Sequence, residues 1–262
     1  MESTTLPHPP AVFKLAGHPV RWNLLTRLAR SDERVQDLIE QLKLPQNLVS
    51  YHLRQLRDGH LVHERRSSAD ERSVYYSLDF EQFQTLFLSA GKMLHPAMVD
   101  ASSSSEDEKG QSRLKPPLRV LFLCTQNSAR SQMAEALLRE LSHGAIETFS
   151  AGSSPASHIH PLAVRAMEVI GINMHEQYPK HFDRYREQHF DAIVTVCDRI
   201  REVCPTFPDD PERIHWSFPD PAETTGSEEE QYVAFERMGL QLTTRLRLLM
   251  AVLNREHSET NF

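Results

Sequence analysis

The stretch LFLCTQNSARSQMAEALLREL, residues 121–141, contains an apolar segment, one cysteine, a short polar turn and an amphipathic segment. The apolar residues before Cys124 do not alternate with polar ones, which is typical of a strand covered on both faces. The apolar residues after Arg130 recur at helical spacing. The turn between them, residues 125–130, would direct backbone N–H groups toward the N-terminus of the helix, an arrangement that binds anions. The stretch therefore predicts an anion-binding loop that carries a cysteine.

The residue types in this loop favour a reactive cysteine. A thiol at a helix N-terminus is stabilised as the thiolate, because partial positive charge and N–H donors surround it. Arg130 can bind two oxygens of a tetrahedral oxyanion, and Ser131 can donate to the sulfur. The alternative, that Cys124 is only a small buried side chain at a strand end, leaves Arg130 and the loop unexplained. We predict that Cys124 is a nucleophile and that six residues hold the oxyanion: Thr125, Gln126, Asn127, Ser128, Ala129 and Arg130.

A serine-rich and acidic segment, residues 99–117, divides the chain. It shows no apolar periodicity, so we predict a flexible linker between a domain of residues 1–98 and a domain of residues 118–256. The first domain has short helical patterns and one polar ribbon, which predicts a mostly α fold with a small β wing. In the second, strand-like runs alternate with helical stretches, which predicts an α/β domain with a parallel four-stranded sheet. The predicted strands are RVLFLC, IETFSAG, DAIVTVC and RIHWSF.

Composition and charge exclude several classes of protein. Hydrophobic residues make up 39% of the chain and no apolar run is long enough to span a membrane, so we expect a globular protein without a membrane partner. The net charge of -7 means that any DNA contact needs a local basic surface. The first residues lack the pattern of a secretory signal, which predicts a cytoplasmic location. The three cysteines then disfavour a disulfide framework, and no histidine or cysteine cluster has the spacing of a metal site.

Four segments occur in an order that resembles a known family. The loop and its helix are similar to those of the low-molecular-weight protein tyrosine phosphatases and, more closely, of the thioredoxin-coupled arsenate reductases that share their fold. The resemblance covers residues 118–254. The segments are CTQNSARS (residues 124–131), FSAGSSP (149–155), VTVCDRIREVCP (194–205) and HWSFPDPAE (215–223).

The resemblance implies a reductase mechanism with a relay of three cysteines. Cys124 would attack arsenate while Asp220 protonates the departing oxygen. Cys197 would then release arsenite by forming a disulfide with Cys124, and Cys204 would move the disulfide to Cys197–Cys204. Because a helix would hold Cys197 and Cys204 too far apart, we expect this segment to change conformation. Reduced thioredoxin would supply the electrons, with no tightly bound cofactor.

The resemblance also leaves alternatives. A phosphatase of this fold needs one reactive thiol and an aromatic wall beside the Asp-Pro pair, whereas Asp220-Pro221 is followed by small and polar residues. Small oxyanions such as arsenate or phosphate are therefore favoured over aryl phosphates. Gln126 replaces a glycine that relatives commonly have. Some relatives hold potassium, and Glu135 and Ser150 resemble parts of that site, but Lys180 falls near its acidic member, which predicts weak potassium dependence.

The segment VQDLIEQLKLPQNLVSYHLRQLRDGHLVHERR, residues 35–66, predicts two helices joined by a short turn at residues 44–46 and followed by a hairpin. One apolar face is formed by Leu38, Ile39, Leu42, Leu48, Val49, Leu53 and Leu56. This arrangement looks like a winged helix-turn-helix, and VSYHLRQLRDGHLV resembles the ArsR family of dimeric regulators. We predict binding of operator DNA through Gln46, Asn47, Ser50, Tyr51, His52 and Arg54, which would point outward with Gln55, and through Arg65, Arg66 and Arg72 of the hairpin. The resemblance also implies a homodimer through the helix in residues 79–94.

Two further readings of this first domain stay open. It could be a helical interaction module that never meets DNA. Many ArsR proteins sense metalloid with cysteines in the first helix of the motif, but no cysteine precedes Cys124 here, so sensing is either absent or passes from the second domain through the linker. We predict an arsenate reductase fused to a transcriptional regulator; the alternatives are a tyrosine phosphatase and a non-catalytic repressor that senses an oxyanion or thiol oxidation.

Overall fold

The computed structural model describes residues 9–70, 72–94, 117–209 and 211–259. The chain divides into two compact units, residues 1–115 and 116–262. This division falls inside the predicted linker, of which only Pro117 belongs to the described residues. The domain boundaries at residues 98 and 118 stay predictions. In the described ranges, no helix combines the length and apolarity that a membrane span requires.

The first unit combines short helices with a small antiparallel sheet, as predicted. The sheet has the strand order β1-β3-β2. Its strands are β1 (Glu33–Arg34), β2 (Val62–Arg66) and β3 (Val74–Leu78). The helices of its described part are α1 (Ala11–Ala16), α2 (Pro19–Leu28), α3 (Val35–Leu42), α4 (Gln46–Asp58) and α5 (Phe80–Leu94).

The predicted helix-turn-helix is formed by α3 and α4. Helix α3 ends at Leu42, the next residue, Lys43, has a left-handed backbone with φ 54°, and Pro45 precedes the first residue of α4. The predicted apolar face is confirmed, since it lies against the core of this unit. Its fully buried members are Leu38, Val49, Leu53 and Leu56, and its half-buried members are Ile39, Leu42 and Leu48.

The predicted hairpin is formed by β2 and β3, which pair from Val62–Leu78 to Arg66–Val74. Glu64 joins the hairpin to α4, because its carboxylate accepts from Arg57 at 2.6 Å and from the Tyr76 hydroxyl at 3.2 Å.

The second unit has the predicted parallel four-stranded sheet, in the order β5-β4-β6-β7. Its strands are β4 (Leu118–Cys124), β5 (Ile146–Gly152), β6 (Ala192–Thr195) and β7 (Glu212–His215). Its helices are α6 (Arg130–Leu141), α7 (Pro161–Val169), α8 (Asp198–Val203) and α9 (Glu228–Glu259). Residues 120–123 of β4 are fully buried, as expected of a strand covered on both faces.

The strand order determines where the site lies. Strand β4 lies between β5 and β6: the chain crosses from β4 to β5 on one side and then from β5 to β6 on the other, so the strand order reverses at β4. In open α/β sheets such a switch point creates a crevice at the carboxyl ends of the strands. The loop after Cys124 and the thiol of Cys197 both follow strands that end at this edge.

Two predicted strands are shorter than expected. The strand predicted over residues 213–218 ends at His215, and the Phe218 N–H donates to the Trp216 carbonyl in a tight turn instead of continuing the ladder. The strand predicted to end at Cys197 ends at Thr195, and Cys197 becomes the residue that precedes α8.

Candidate functional site

Cys124 lies at the end of β4 with its sulfur enclosed by the predicted loop. The backbone N–H of Asn127 donates to its Sγ at 3.1 Å, and the Ser131 hydroxyl lies 2.9 Å from the same atom. Arg130 is the first residue of α6, so the loop leads directly into a helix N-terminus. The structure therefore brings the predicted nucleophile, loop and Ser131 together.

Asn127 holds the loop in shape from inside. Its Nδ2 donates to the hydroxyls of Ser131 and Ser150, each at 2.9 Å. Its Oδ1 accepts from the backbone N–H of Lys180 at 2.7 Å and from Gln132 at 3.0 Å. Asn127 has a left-handed backbone with φ 48°. Gln126 is not among the described residues with positive φ, so its side chain imposes no backbone strain where relatives commonly have glycine.

Arg130 connects the loop to Asp220, ninety residues further along the chain. Its NH2 group donates to Asp220 Oδ2 at 2.5 Å, and its NH1 group donates to the Phe218 carbonyl at 3.1 Å. The guanidinium is almost fully buried, whereas Asp220 is partly exposed. The predicted oxyanion ligand and the predicted proton donor thus lie in direct contact at the mouth of the loop.

The protonation of Cys124 differs from the prediction. Burial raises the pKa of the Cys124 thiol, and the neighbouring Cys197 raises it further, whereas Arg130 and Ser131 lower it. Burial is the largest of these effects on the pKa, and the Arg130 guanidinium also donates to Asp220 and Phe218. The arrangement therefore favours the thiol of Cys124, where the residue types alone predicted the thiolate.

The other two thiols lie at the two ends of α8. Cys197 is buried and its Sγ lies 3.4 Å from the Thr125 hydroxyl, which places it beside the loop. Cys204 is half-buried at the far end of α8, and burial raises the pKa of its thiol while Arg213 lowers it. At about 1.5 Å of rise per residue, a helix between them separates their Cα atoms by roughly 10 Å, beyond the span of a disulfide.

Three contributions to the site were not predicted. The Phe218 carbonyl accepts from Arg130, and a backbone carbonyl leaves no signal in the sequence. His160 stacks on Phe235 with ring centroids 4.6 Å apart, and its backbone N–H donates to the Ser128 carbonyl. Burial lowers the pKa of His160, while the negative charge of Asp220 raises it. Gly152 is the third contribution.

Gly152 ends β5 directly against the loop. A Cβ at this position would lie 2.4 Å from the Thr125 carbonyl oxygen and 3.0 Å from the Asn127 nitrogen. Because both atoms belong to backbone, Gly152→Ala must displace the loop. We expect this change to lower the free energy of unfolding by about 2 kcal/mol or more and to weaken phosphate binding in calorimetry. Gly239→Ala is the control, since the nearest atoms there are flexible methionine ends; equal phosphate affinity in the two variants would contradict the prediction.

The position that resembles a potassium site does not fit a potassium ion. Lys180 Nζ lies 3.6 Å from Glu135 Oε2, and both side chains are almost fully buried. Arg139 donates to the other oxygen of Glu135 at 2.7 Å, and the Ser150 hydroxyl accepts from Asn127. An ammonium group therefore supplies the positive charge that the carboxylate requires. In the described ranges, no group of three or more histidine, cysteine or acidic side chains could hold a metal ion.

The predicted DNA-binding residues are exposed or half-buried with a single exception. The exposed members on α4 are Gln46, Asn47, Ser50, Tyr51 and Arg54. On the hairpin, Arg66 and Arg72 are exposed and Arg65 is half-buried. The outward orientation predicted for His52 is wrong: its side chain is buried and stacks on His18 with ring centroids 4.3 Å apart. Helix α4 packs on α2, and His52 lies on that face.

We expect the burial of His52 to make the first unit less stable in acid. Burial lowers the pKa of His52, and the charges of His18 and Arg21 lower it further. The unfolded chain therefore binds the proton better, so stability is complete above about pH 6.5 and falls as the pH drops below it. We expect urea unfolding, followed by Trp22 fluorescence in Trp216→Phe protein, to shift to lower urea between pH 7 and pH 5. His52→Phe should flatten this dependence, and an unchanged slope would count against it.

Comparison with known protein families separates the two units. Residues 119–259 match the family described as low molecular weight phosphotyrosine protein phosphatase. Residues 18–64 match the family described as bacterial regulatory protein, arsR family. The first match covers the second unit, and the second covers the helix-turn-helix and part of the hairpin.

Curated relatives match the second unit. An arsenate reductase of Halalkalibacterium halodurans is 39% identical over 128 residues, which are 49% of this chain and 91% of the relative. An arsenate reductase of Bacillus subtilis is 37% identical over 128 residues, with the same coverage. Both relatives are covered almost end to end.

Solved structures give two further similarities. A thioredoxin-dependent arsenate reductase of Corynebacterium glutamicum is 22% identical, with a TM-score of 0.43, and the match covers 89% of this chain and 98% of that one. An arginine phosphatase of Geobacillus stearothermophilus is 23% identical, with a TM-score of 0.46, and the match covers 56% of this chain and 99% of that one.

Proposed function

Because the chain belongs to the low molecular weight phosphotyrosine protein phosphatase family and carries an ArsR-family helix-turn-helix, we propose that it reduces arsenate to arsenite and binds operator DNA. Reduction proceeds through Cys124, Cys197 and Cys204, and reduced thioredoxin regenerates the thiols. One observation carries the proposal: Cys124 and Cys197 meet at one anion-binding loop, with Cys204 at the other end of a short helix. A phosphatase needs only the first of these thiols.

The first step joins arsenate to Cys124. The loop N–H groups and Arg130 hold the oxyanion, the Cys124 sulfur attacks arsenic, and one oxygen leaves as water after protonation by Asp220. Before this step Cys124 must lose a proton, and Asp220, which is paired with Arg130, must gain one. Arsenate that engages Arg130 opens this ion pair. A single proton that moves from Cys124 through arsenate to Asp220 then both deprotonates the nucleophile and protonates the acid.

The next steps supply the two electrons. Cys197 attacks Cys124 Sγ, a sulfur–sulfur bond forms and the sulfur–arsenic bond breaks. Its electron pair stays on arsenic, which leaves as arsenite. Cys204 then attacks Cys197 and releases the Cys124 thiolate, so the disulfide moves to Cys197–Cys204. The dithiol of thioredoxin reduces that bond. All three cysteines must start reduced, so the proposal locates the protein in the cytoplasm.

The absence of an aromatic wall supports a small oxyanion as substrate. The residues after Asp220-Pro221 are Ala222, Glu223, Thr224 and Thr225, and the first two are exposed on a short 3-10 turn. None of these side chains can stack on an aryl phosphate.

The deciding experiment follows NADPH consumption with arsenate, thioredoxin and thioredoxin reductase. We expect arsenate-dependent consumption by the native chain and none by Cys124→Ser. A parallel assay with p-nitrophenyl phosphate tests the phosphatase alternative. No arsenate turnover together with rapid hydrolysis of the aryl phosphate would overturn the proposal and make Cys124 a phosphatase nucleophile.

Potassium should have little effect on this turnover, since the Lys180 ammonium already faces Glu135. We expect rates in potassium chloride and sodium chloride at equal ionic strength to agree within about twofold, a difference of less than 0.5 kcal/mol. Lys180→Met removes the ammonium and keeps an unbranched side chain only one atom shorter, so it should create a preference for potassium over sodium. A large activation of the native chain by potassium would contradict this prediction.

The first unit is proposed to bind operator DNA as a homodimer. The polar face of α4 and the hairpin arginines provide base and phosphate contacts. On α5, the side chains of Phe87 and Met93 are 52% and 72% exposed. The Phe87 ring packs edge-on against Phe13 of α1, with ring centroids 6.2 Å apart. This apolar surface suits a second copy of the chain. Light scattering should give a dimer, and a monomer would contradict it.

Arg54 tests the DNA contact. It is exposed on α4, and its nearest acidic group, Asp58, is 3.9 Å away. Arg54→Ala should weaken operator binding about 10-fold or more, with Arg27→Ala on α2 as the control.

A comparison of operator binding with and without arsenite, arsenate and a thiol oxidant tests whether the second unit controls the first. Equal affinity for operator and unrelated DNA in the native chain would favour the interaction module instead.

A further inference from the structure

A buried polar cluster lies directly behind Cys197. Asp198, the next residue, begins α8 and is completely buried. Its Oδ1 accepts from the Ser217 hydroxyl at 2.7 Å and lies 3.3 Å from His215 Nε2. Charged groups are almost never buried without partners, so these contacts hold the first turn of α8 against the segment that follows β7.

The cluster reaches across the carboxyl ends of two strands. His215 ends β7, and its Nδ1 lies 2.8 Å from the hydroxyl of Thr195, which ends β6. Thr195 also donates to the Ile214 carbonyl at 3.3 Å. We call Thr195, Asp198, His215 and Ser217 the Asp198 cluster. It attaches the residue after Cys197 to two neighbouring strands of the sheet.

The side chains next to Cys204, at the opposite end of α8, are more exposed than those next to Cys197. Glu202 and Val203 are exposed, the latter by 56%. The Cys204 sulfur lies 3.7 Å from the Pro205 carbonyl, and its half-buried side chain packs against the core. Buried polar groups therefore hold the helix next to Cys197, whereas the two residues that precede Cys204 face solvent.

This asymmetry suggests which thiol moves. We propose that Asp198, held by His215 and Ser217, is a positioning residue that keeps Cys197 beside Cys124 while α8 unwinds from its Cys204 end. The inference rests on the proposed relay and adds to it which end of α8 stays in place. Breaking the buried contacts of Asp198 leaves a buried imidazole without its acceptor, so this end of the helix is the costlier one to move.

The proposal predicts that the first disulfide step alone depends on the cluster. In Asp198→Ala, release of arsenite in a single turnover should slow by about 30-fold to 100-fold, because small displacements of reacting atoms cost rate steeply. The KM for arsenate should not change, since the change removes contacts with His215 and Ser217, which hold no part of the oxyanion in the proposed reaction. Asp198→Asn keeps an acceptor oxygen in the same place and should recover most of the rate. Glu202→Gln, an acidic position on the exposed side of the same helix, is the matched control and should match the native rate.

A second measurement separates positioning from simple loss of helix stability. In a Cys124→Ser background, the equilibrium between the Cys197–Cys204 disulfide and dithiothreitol should be the same with and without Asp198→Ala. A shift of more than about threefold in this equilibrium would mean that Asp198 stabilises α8 as a whole, and would overturn the proposal. An unchanged single-turnover rate in Asp198→Ala would also overturn it.

A third measurement does not depend on arsenate. Diamide, a thiol oxidant that accepts two electrons and two protons, should form the Cys124–Cys197 bond in Cys204→Ser, and Asp198→Ala should slow this reaction. If the native chain releases no arsenite, the proposed function fails while the diamide rates still decide the positioning role. If Asp198→Ala fails to fold, Ser217→Ala removes one contact of Asp198 and should slow diamide oxidation by a smaller factor, about threefold to tenfold. Equal rates of diamide oxidation with and without Ser217→Ala would overturn the inference.

Discussion

Cys204→Ser should reduce one arsenate per chain and then stop, with a disulfide between Cys124 and Cys197. The two thiols that carry out this turnover meet at the loop, whereas Cys204 is separated from them by α8. Replacing Cys204 leaves the first two steps intact and removes the thiol that would transfer the disulfide away from Cys124. Continued turnover with thioredoxin should fall to background.

The measurement is arsenite released per chain, followed by mass spectrometry of alkylated peptides. We expect one arsenite per chain and peptides joined through Cys124 and Cys197. Cys197→Ser is the control: it should bind arsenate and release no arsenite, because no second thiol lies beside the loop in the described structure. Sustained turnover by Cys204→Ser, or the absence of the joined peptides, would contradict the proposed order of steps.

Asp220→Asn should lower the single-turnover rate by about 10²-fold to 10⁴-fold, the usual contribution of a positioned proton donor. Arg130 holds Asp220 at the mouth of the loop, and the Ala222 N–H donates to the other carboxylate oxygen at 3.2 Å. Asparagine keeps the size of this side chain and can accept one of these two hydrogen bonds through its amide oxygen, but it carries no acidic proton for the departing oxygen. The loss should therefore be in kcat, with the KM for arsenate changed by no more than a few-fold.

Glu223→Gln provides the matched control for Asp220→Asn. Glu223 is an exposed acidic residue on the same short turn, three positions from Asp220, and we place it in no step of the reaction. Its replacement should leave the rate within about twofold of the native value. A fall of less than tenfold in Asp220→Asn would assign the proton transfer to another group.

Much of the catalytic half could be predicted because its signals are local. A run of apolar residues before Cys124 and helical spacing after Arg130 are properties of neighbouring residues, and both elements form where they were predicted. The same holds for the helix-turn-helix, whose turn needs only a few residues around Lys43 and Pro45. The resemblance to the family added Asp220, Cys197 and Cys204 to the predicted site. Residue types and spacing alone would not have selected these three residues.

Predictions failed where the outcome depends on residues distant in the chain. Helical periodicity shows that α4 has a buried face, but it did not reveal that His52 lies there, against His18 of α2. The predicted strand that ends early at His215 is a similar case, because apolar residues can continue a strand or turn into the core with equal local preference. The prediction of a thiolate at Cys124 took the N–H donors of the loop into account, but it did not include burial, which raises the pKa of the thiol.

The order of the elements, the loop after Cys124, the three cysteines and the helix-turn-helix follow from the sequence alone, because each depends on side chains a few residues apart. The folded chain is needed to show that Arg130 pairs with Asp220, that Gly152 leaves room for the loop, and that Asp198 contacts His215 and Ser217. Strand order brings these groups together at one edge of the sheet. Burial at that edge then determines which contacts are strong, because charges and hydrogen bonds gain importance when water is excluded.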